Sequence, residues 1–288
     1  MINNERVPIS DELEVPDPDG LTSVVLRWRP EHRPRAVLQV LHGWCEHAGR
    51  YERLAAALAE DGFAVYADDH RGHGQTGLRS ATLGDLGPRG AAGVLDAIRA
   101  VTGQARADYP DLPLFILGHS WGSFLLQGYL RQPPPGLAGA VLTGTTYRAP
   151  GTRRERADPN ARFEPARTPY DWLSRDPAEV DRYVADPLCG FEITQATGAR
   201  PGSLPDTDNS GVPRALPVLI LNGSDDPVGG TAGGQQLAGH YRSLGLADVT
   251  FRAYPGARHE LLNETNRDEV QADLRDWLGA RLPPAAGA

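Results

Sequence analysis

The chain has 288 residues, enough to bury a large core, and this length fits one large domain or two small ones; we expect one domain with an insertion. Its 29 basic side chains are all arginine, and 37 acidic side chains leave a formal charge of −8, which argues against nucleic acid and anionic membrane surfaces as partners. Because the sequence contains no lysine, Schiff-base chemistry and lysine-anchored pyridoxal phosphate are excluded.

Short apolar runs rich in β-forming residues predict strands along the whole chain. They span residues 21–29, 36–41, 63–67, 113–118, 139–144, 216–221 and 249–254. Helical patterns lie between several of these runs, at 51–62, 89–108 and 121–131. Because strand and helix alternate, we predict an α/β fold with a mostly parallel central sheet and helices on both faces.

A final helix is predicted near the carboxyl end of the chain. Thr265 and Asp268 have the spacing of a capping box, and the residues that follow form one apolar stripe, Val270, Leu274, Trp277 and Leu278. We expect this stripe to pack in the core and to do no chemistry.

The alternation of strand and helix is interrupted between residues 146 and 215, where Arg, Asp, Pro and Gly surround a few aromatic residues. We interpret this segment as an inserted cap or lid. The predicted organisation is therefore a first core part at 1–145, a cap at 146–215 and a second core part at 216–288.

The number of cysteines and the first twenty residues predict the cellular compartment of the protein. Cys45 and Cys189 are isolated, too few for a disulfide framework and without the grouped spacing of a zinc site. The first twenty residues lack the pattern of a secretory signal, and no run approaches the roughly 18 apolar residues that a membrane span needs. We expect a cytoplasmic protein with no stable membrane association.

The sequence GHSWG, residues 118–122, lies between a predicted strand and a predicted helix. Ser120 is then the apex of a tight, strained turn, and Gly118 and Gly122 allow the neighbouring chain to come close. Such a turn lifts the serine side chain out of the sheet and directs the backbone N–H of Trp121 toward a carbonyl that the serine attacks. The context predicts a nucleophile.

A nucleophilic serine needs a histidine base and a carboxylate that orients the base, and in this architecture both follow the serine in the chain. Asp225 and Asp226 come directly after one predicted strand, and His259 lies in the loop after the next. Loops beyond the carboxyl ends of parallel strands open on one crevice, so these side chains can meet. For Asp225 we prefer a helix cap or turn, a structural role that Asp226 could also have.

A second backbone donor for the oxyanion is expected in the loop after an earlier strand. The run AVLQVL leads into His42 and Gly43, and the glycine permits a turn that presents the N–H of Trp44 to the crevice. We therefore predict an oxyanion hole formed by the amides of Trp44 and Trp121.

Five segments in order, HGWCEHAGRYERLA, YADDHRGHGQT, GHSWGS, LNGSDDPVGG and YPGARHELLNE, resemble the α/β-hydrolases. Within that superfamily they are similar to the monoglyceride-lipase and lysophospholipase branch, also called serine aminopeptidase S33. The resemblance implies the α/β-hydrolase fold with an inserted cap. It implies Ser120 as nucleophile, Asp226 as acid and His259 as base, with Trp44 and Trp121 at the oxyanion positions.

The sequence departs from this family near the oxyanion hole. Cys45 stands where the family's loop usually has glycine, and we interpret it as a packing residue. The bulky side chains of Trp44 and Trp121 are expected to narrow the acyl pocket. Candidate pocket residues in the predicted cap are Tyr147, Trp172 and Phe191, which either line an acyl or aryl pocket or form the core of the cap.

The resulting hypothesis is a serine hydrolase that cleaves a small-molecule carboxylic ester through an acyl-enzyme, with no metal and no organic cofactor. The same triad serves acyltransferases, thioesterases, lactonases and amidases, and fold analogy does not choose among them. A binding protein that keeps the fold without turnover is the rival from another class. Five histidines near the predicted crevice match no zinc-site spacing: His42, His47, His70, His73 and His119.

Overall fold

The computed structural model describes residues 9–148, 158–191 and 209–282. Eight strands form a single sheet in the order β1-β2-β4-β3-β5-β6-β7-β8. The strands are β1 (Ile9–Pro16), β2 (Thr22–Arg29), β3 (Ala36–Leu41), β4 (Phe63–Asp68), β5 (Leu114–His119), β6 (Leu137–Thr143), β7 (Val218–Gly223) and β8 (Val249–Tyr254). Strands β1–β2 and β2–β4 pair antiparallel and all other neighbours pair parallel, which confirms the predicted mostly parallel sheet.

The described residues also form seven α-helices of six to eighteen residues: α1 (Glu52–Glu60), α2 (Gly74–Arg79), α3 (Ala91–Asp108), α4 (Trp121–Tyr129), α5 (Pro177–Ala185), α6 (Gly230–Ser243) and α7 (Arg267–Gly279). The sequence predicts α1, α3, α4 and α7, whereas β1, α2, α5 and α6 are found only in the structure. Helix α6 carries four glycines in fourteen residues, which hides its apolar face from a periodicity analysis. Among the described residues, no helix combines the length and apolar character needed to cross a membrane.

Helices cover both faces of the sheet, as predicted. Along β5, Phe115 and Leu117 belong to one apolar cluster while Ile116 belongs to another, because successive side chains in a strand point to opposite faces. Residues of α1 and α7 complete the first cluster, and residues of α3, α4 and α6 complete the second.

The predicted capping box of α7 is wrong. The helix begins at Arg267, and its capping position is held by Asn266, whose side-chain amide donates to Glu269 (Nδ2–Oε2 2.9 Å). Thr265 instead donates its N–H to Glu264 (2.7 Å to Oε2). The structure thus places the capping residue one position later than the sequence predicts, because residue spacing alone does not locate the end of a helix to a single residue.

The predicted cap falls between β6 and β7, and residues 149–157 and 192–208 of it lie outside the described residues. Residues 158–191, which we call the cap segment, contain α5 and lie over the carboxyl ends of the central strands, where they share a cavity with residues that follow β3, β5 and β8. The exact domain boundaries at 145 and 215 stay a prediction.

Candidate active site

Ser120 occupies the turn between β5 and α4 with φ +50° and ψ −117°, a conformation that residues other than glycine rarely adopt. The turn is tight because two glycines permit close approach: a Cβ on Gly118 would lie 2.5 Å from the Gly122 carbonyl oxygen, and one on Gly122 would lie 2.2 Å from that of Leu41. The Ser120 N–H donates to the Thr143 carbonyl oxygen (2.9 Å), which anchors the turn to β6.

The two other predicted triad residues are in contact. His259 Nδ1 lies 2.9 Å from Asp226 Oδ1, and both side chains are buried. The same carboxylate oxygen accepts the N–H of Val228 (2.8 Å), so Asp226 also closes the local turn after β7. Asp225 points elsewhere: its carboxylate is 42% exposed and lies 3.6 Å from the Arg162 guanidinium.

The hydrogen bond to a carboxylate fixes the proton of neutral His259 on Nδ1, which leaves Nε2 as an acceptor. His259 Nε2 is buried and has no hydrogen-bond partner among the described residues. Ser120 and His259 line one cavity of 210 Å³. The arrangement therefore offers an unengaged imidazole nitrogen in the cavity that contains the serine.

Burial disfavours the charged form of His259, but the charge and hydrogen bond of Asp226 outweigh it, and the carboxylates of Glu260 and Glu46 add to the effect. Together they raise the pKa of His259 above its ordinary value of 6.5. The site thus stabilises an imidazolium, the species that forms when this histidine accepts a proton.

His119 lies directly before Ser120, and its ring centroid is 4.8 Å from that of His259. Burial, reinforced by the charge of His259, lowers the pKa of His119 to about 4. Its Nδ1 lies 3.0 Å from the Thr143 hydroxyl. This histidine stays neutral at pH 7 and does not compete for the proton of the serine.

The loop after β3, residues 42–46, contains the predicted oxyanion donor Trp44 and is held at several points; we call it the oxyanion loop. His42 Nε2 accepts the His70 N–H (3.0 Å), so its proton is on Nδ1 and is donated to the Gly43 carbonyl oxygen (2.7 Å). The C=O and N–H of a trans peptide point in opposite directions. The bond to Gly43 therefore sets the direction of the Trp44 N–H.

Trp44 and Trp121 are neighbours, with their rings edge to face at a centroid distance of 4.7 Å. Trp44 lines the cavity that contains Ser120. Trp121 is the first residue of α4, where helix geometry leaves a backbone N–H without an intrahelical acceptor. The structure thus places Trp44 in the cavity lining and Trp121 at the start of α4, and the roles of their amides stay a prediction.

A buried ion network lies beside the oxyanion loop. Glu46 accepts the Gly43 N–H and the Tyr51 hydroxyl (2.8 Å) and pairs with Arg50, which also binds Glu260 through two bonds of 2.6 Å. Burial opposes ionisation of Glu46, but the Arg50 charge outweighs it and holds its pKa below the usual range. The network joins the oxyanion loop to the residue that follows His259.

The cavity wall opposite Ser120 comes from the cap segment and is mostly aromatic. Of the predicted pocket residues, Trp172 and Phe191 line it, and the Trp172 ring lies 4.8 Å from that of His259. Tyr147 lies apart from this lining, stacked on His240 at 4.2 Å. Tyr183, on α5, lines the cavity and is missed by sequence reasoning, although its spacing of three from the buried Val180 marks an inward helix face.

A larger cavity of 970 Å³ is an open surface groove around Arg106, Pro134 and Arg281, remote from the predicted residues. Among the described residues, one group could hold a metal ion: His47, Asp186 and Cys189, whose ligand atoms lie within 4.8 Å of one another. However, His47 Nδ1 accepts the Gly49 N–H (3.2 Å), so its proton is on Nε2, 2.9 Å from Asp186. This tautomer makes a hydrogen bond to the carboxylate where a metal would need a lone pair.

Comparisons with known proteins show the family and the fold. A family model described as serine aminopeptidase S33 matches residues 32–266. The chain is 32% identical to a monoacylglycerol lipase of Mycolicibacterium smegmatis, over 91% of the chain and 95% of the relative, and 31% identical to a monoglyceride lipase of Mus musculus, over 99% and 95%. A solved structure of a thermostable carboxyl esterase from Bacillus coagulans is 29% identical and superimposes with a TM-score of 0.81 over 94% of the chain and 98% of the esterase. The predicted α/β-hydrolase fold is confirmed.

Proposed function

The chain belongs to the serine aminopeptidase S33 family of α/β-hydrolases, and we propose that it is a serine hydrolase that cleaves small carboxylic esters through an acyl-enzyme. The expectation of a carboxylic ester hydrolase is confirmed at the level of the family by the lipase relatives and the esterase structure. The observation that carries the finer proposal is one cavity that contains Ser120 on a strained turn and His259 bound to Asp226, with Nε2 unengaged.

In the proposed mechanism, His259 Nε2 takes the proton of Ser120 as the serine oxygen attacks the ester carbonyl carbon. The carbonyl oxygen becomes an oxyanion that the N–H groups of Trp44 and Trp121 stabilise, each by roughly 3 kcal/mol. Asp226 holds the imidazole in the required tautomer and stabilises its charged form. The imidazolium then protonates the leaving alcohol, and neutral His259 activates a water that hydrolyses the acyl-enzyme.

The cavity supports a compact substrate. Its volume of 210 Å³ is below the roughly 300–1,000 Å³ of sites that hold drug-sized ligands. The indole of Trp44 and the ring of Phe191 form part of its wall, and His73 packs edge-on against both. We therefore propose acyl groups of short to medium length as substrates.

The direct test is hydrolysis of p-nitrophenyl esters from acetyl to palmitoyl by the wild type and by Ser120→Ala. Ser243→Ala, an exposed serine at the end of α6, serves as the matched control. The proposal requires that the control retains full activity, that Ser120→Ala loses it, and that short or medium chains are preferred. A long-chain optimum would refute the compact substrate. Equal inactivity of all three proteins at every length would refute ester hydrolysis and favour acyl transfer or a binding role.

A further inference from the structure

We infer that Cys45 is a positioning residue that ties the oxyanion loop to the cap segment and thereby keeps the Trp44 N–H aimed into the cavity. The inference rests on the proposed function, since it concerns the oxyanion hole of the same site. It gives a role to a residue whose sequence context indicates only packing.

The backbone of Cys45 is the first observation. Its φ is +53°, in the left-handed region that favours glycine. A residue with a Cβ keeps this conformation only where its surroundings hold it there, and such strain concentrates at functional sites. Cys45 follows Trp44 directly and lines the cavity that contains Ser120.

The contacts of Cys45 are the second observation, because three of them reach the cap segment. Its carbonyl oxygen accepts the N–H of Gly190 (2.9 Å) and the hydroxyl of Tyr183 (3.0 Å). Its thiol donates to the carbonyl oxygen of Phe191 (3.1 Å from Sγ). Burial raises the pKa of Tyr183, so the phenol keeps the proton that it donates.

The two sides of Trp44 are therefore fixed by different parts of the molecule. On the amino side, His42 and Glu46 hold both ends of Gly43, and these contacts belong to the core. On the carboxyl side, the cap segment holds Cys45. An oxyanion hole stabilises the negatively charged oxygen because its N–H donors are already oriented before the reaction. Loss of either set of contacts would therefore let the Trp44 N–H turn away from the oxyanion.

The thiol adds something that glycine does not. A glycine at position 45 would adopt the same φ without strain and would keep the two bonds to the carbonyl oxygen, but the Phe191 carbonyl would lose its donor. Phe191 is also part of the cavity wall. The thiol thus fixes the cap segment at the point where it reaches the acyl pocket.

The test compares Cys45→Gly, Cys45→Ala, Cys45→Ser and Tyr183→Phe with the wild type, using p-nitrophenyl butyrate and a methyl trifluoromethyl ketone. The ketone adds to the nucleophilic serine and places a negatively charged oxygen in the oxyanion hole. We expect Cys45→Gly and Cys45→Ala to lower kcat about tenfold with KM little changed, and to raise the Ki of the ketone by the same factor. Cys45→Ser keeps a donor and should retain most of the activity.

Stability separates positioning from a merely structural role. Because glycine removes the backbone strain, Cys45→Gly should unfold at a temperature no lower than Cys45→Ala while losing as much kcat. Tyr183→Phe removes one carbonyl contact and should also lower kcat and raise Ki together. If the wild type is active but the Cys45 variants keep its kcat and Ki, or differ from it only by a higher KM, the inference is overturned and the proposed function is not. Wild type that neither hydrolyses the ester nor binds the ketone would overturn the proposed function and the inference with it.

Discussion

Replacing Asp226 by asparagine removes the charge beside His259 and leaves the shape of the site almost unchanged. The carboxylate lies 2.9 Å from His259 Nδ1 and is buried, so solvent does not compensate for the loss of its charge. A unit charge pair about 4 Å apart interacts by about 4 kcal/mol at an effective dielectric constant of 20. At about 1.4 kcal/mol per factor of ten, the loss corresponds to roughly a thousandfold in rate.

The amide adds a second effect through the tautomer of the histidine. If the asparagine oxygen keeps the Val228 N–H, its amide nitrogen occupies the place of Asp226 Oδ2, which is buried and has no hydrogen-bond partner in the described part of the chain. If the amide turns over, its nitrogen donates to His259 Nδ1 and moves the histidine proton to Nε2, the wrong atom for a base. We therefore expect kcat for p-nitrophenyl butyrate to fall by roughly 10³- to 10⁴-fold and the free energy of unfolding to fall by about 1–3 kcal/mol.

The matched control is Asp225→Asn, which changes the adjacent carboxylate. That side chain is 42% exposed and its ion pair with Arg162 is long, at 3.6 Å, so the substitution should alter neither kcat nor stability appreciably. Steady-state kinetics and thermal unfolding of both variants decide the matter. Asp226→Asn with near wild-type kcat, or Asp225→Asn with an equal loss, would refute the assignment of the acid.

Three further predictions follow from buried groups. Activity requires neutral His259, whose pKa is raised above 6.5, so kcat/KM should fall as the pH drops through a midpoint above 6.5; a midpoint below 6.5 in the pH profile would contradict the role of the neighbouring carboxylates. Gly122→Ala should abolish either soluble folded protein or labelling of the serine, since the new Cβ would lie 2.2 Å from the Leu41 carbonyl oxygen. Gly103→Ala is the control: it lies in α3 with open space around the new Cβ, and it should raise the free energy of unfolding by about 0.5–1 kcal/mol in circular dichroism melts. Arg50→Met leaves two buried carboxylates without their counter-ion and should cost about 3–5 kcal/mol in denaturant unfolding; a loss below about 1 kcal/mol would show that the network contributes little.

Local patterns are enough to predict the elements that carry the proposed catalytic residues. Ser120 follows a buried strand and precedes a helix, and Asp226 and His259 follow two later strands, so chain order and parallel topology bring their loops to one edge of the sheet. The strand-end rule works here because β5, β7 and β8 are parallel neighbours or near neighbours in the sheet.

Contacts between residues that are far apart in the sequence cannot be predicted from local patterns. Arg50 binds Glu260 across 210 positions of sequence, and the Cys45 thiol reaches Phe191 across 146. Periodicity does not report such pairs. Helix α6 is not predicted for another reason, because two of its glycines lie in close packing: a Cβ on Gly234 would lie 2.3 Å from the Phe251 ring, and one on Gly233 would lie 2.4 Å from the Thr146 hydroxyl oxygen. These two glycines lower the helix propensity of α6 at positions where tertiary packing leaves no room for a side chain.

Covalent labelling tests the central claim most directly. The protein is incubated with a fluorophosphonate, and the adduct is located by intact-mass measurement and peptide mapping, with Ser120→Ala treated in parallel. The proposed mechanism predicts one adduct, on Ser120, and none in the variant, because it gives this serine a base and an oxyanion hole that activate it. Unlabelled wild type, or an adduct on another residue, would contradict the claim that Ser120 is the nucleophile.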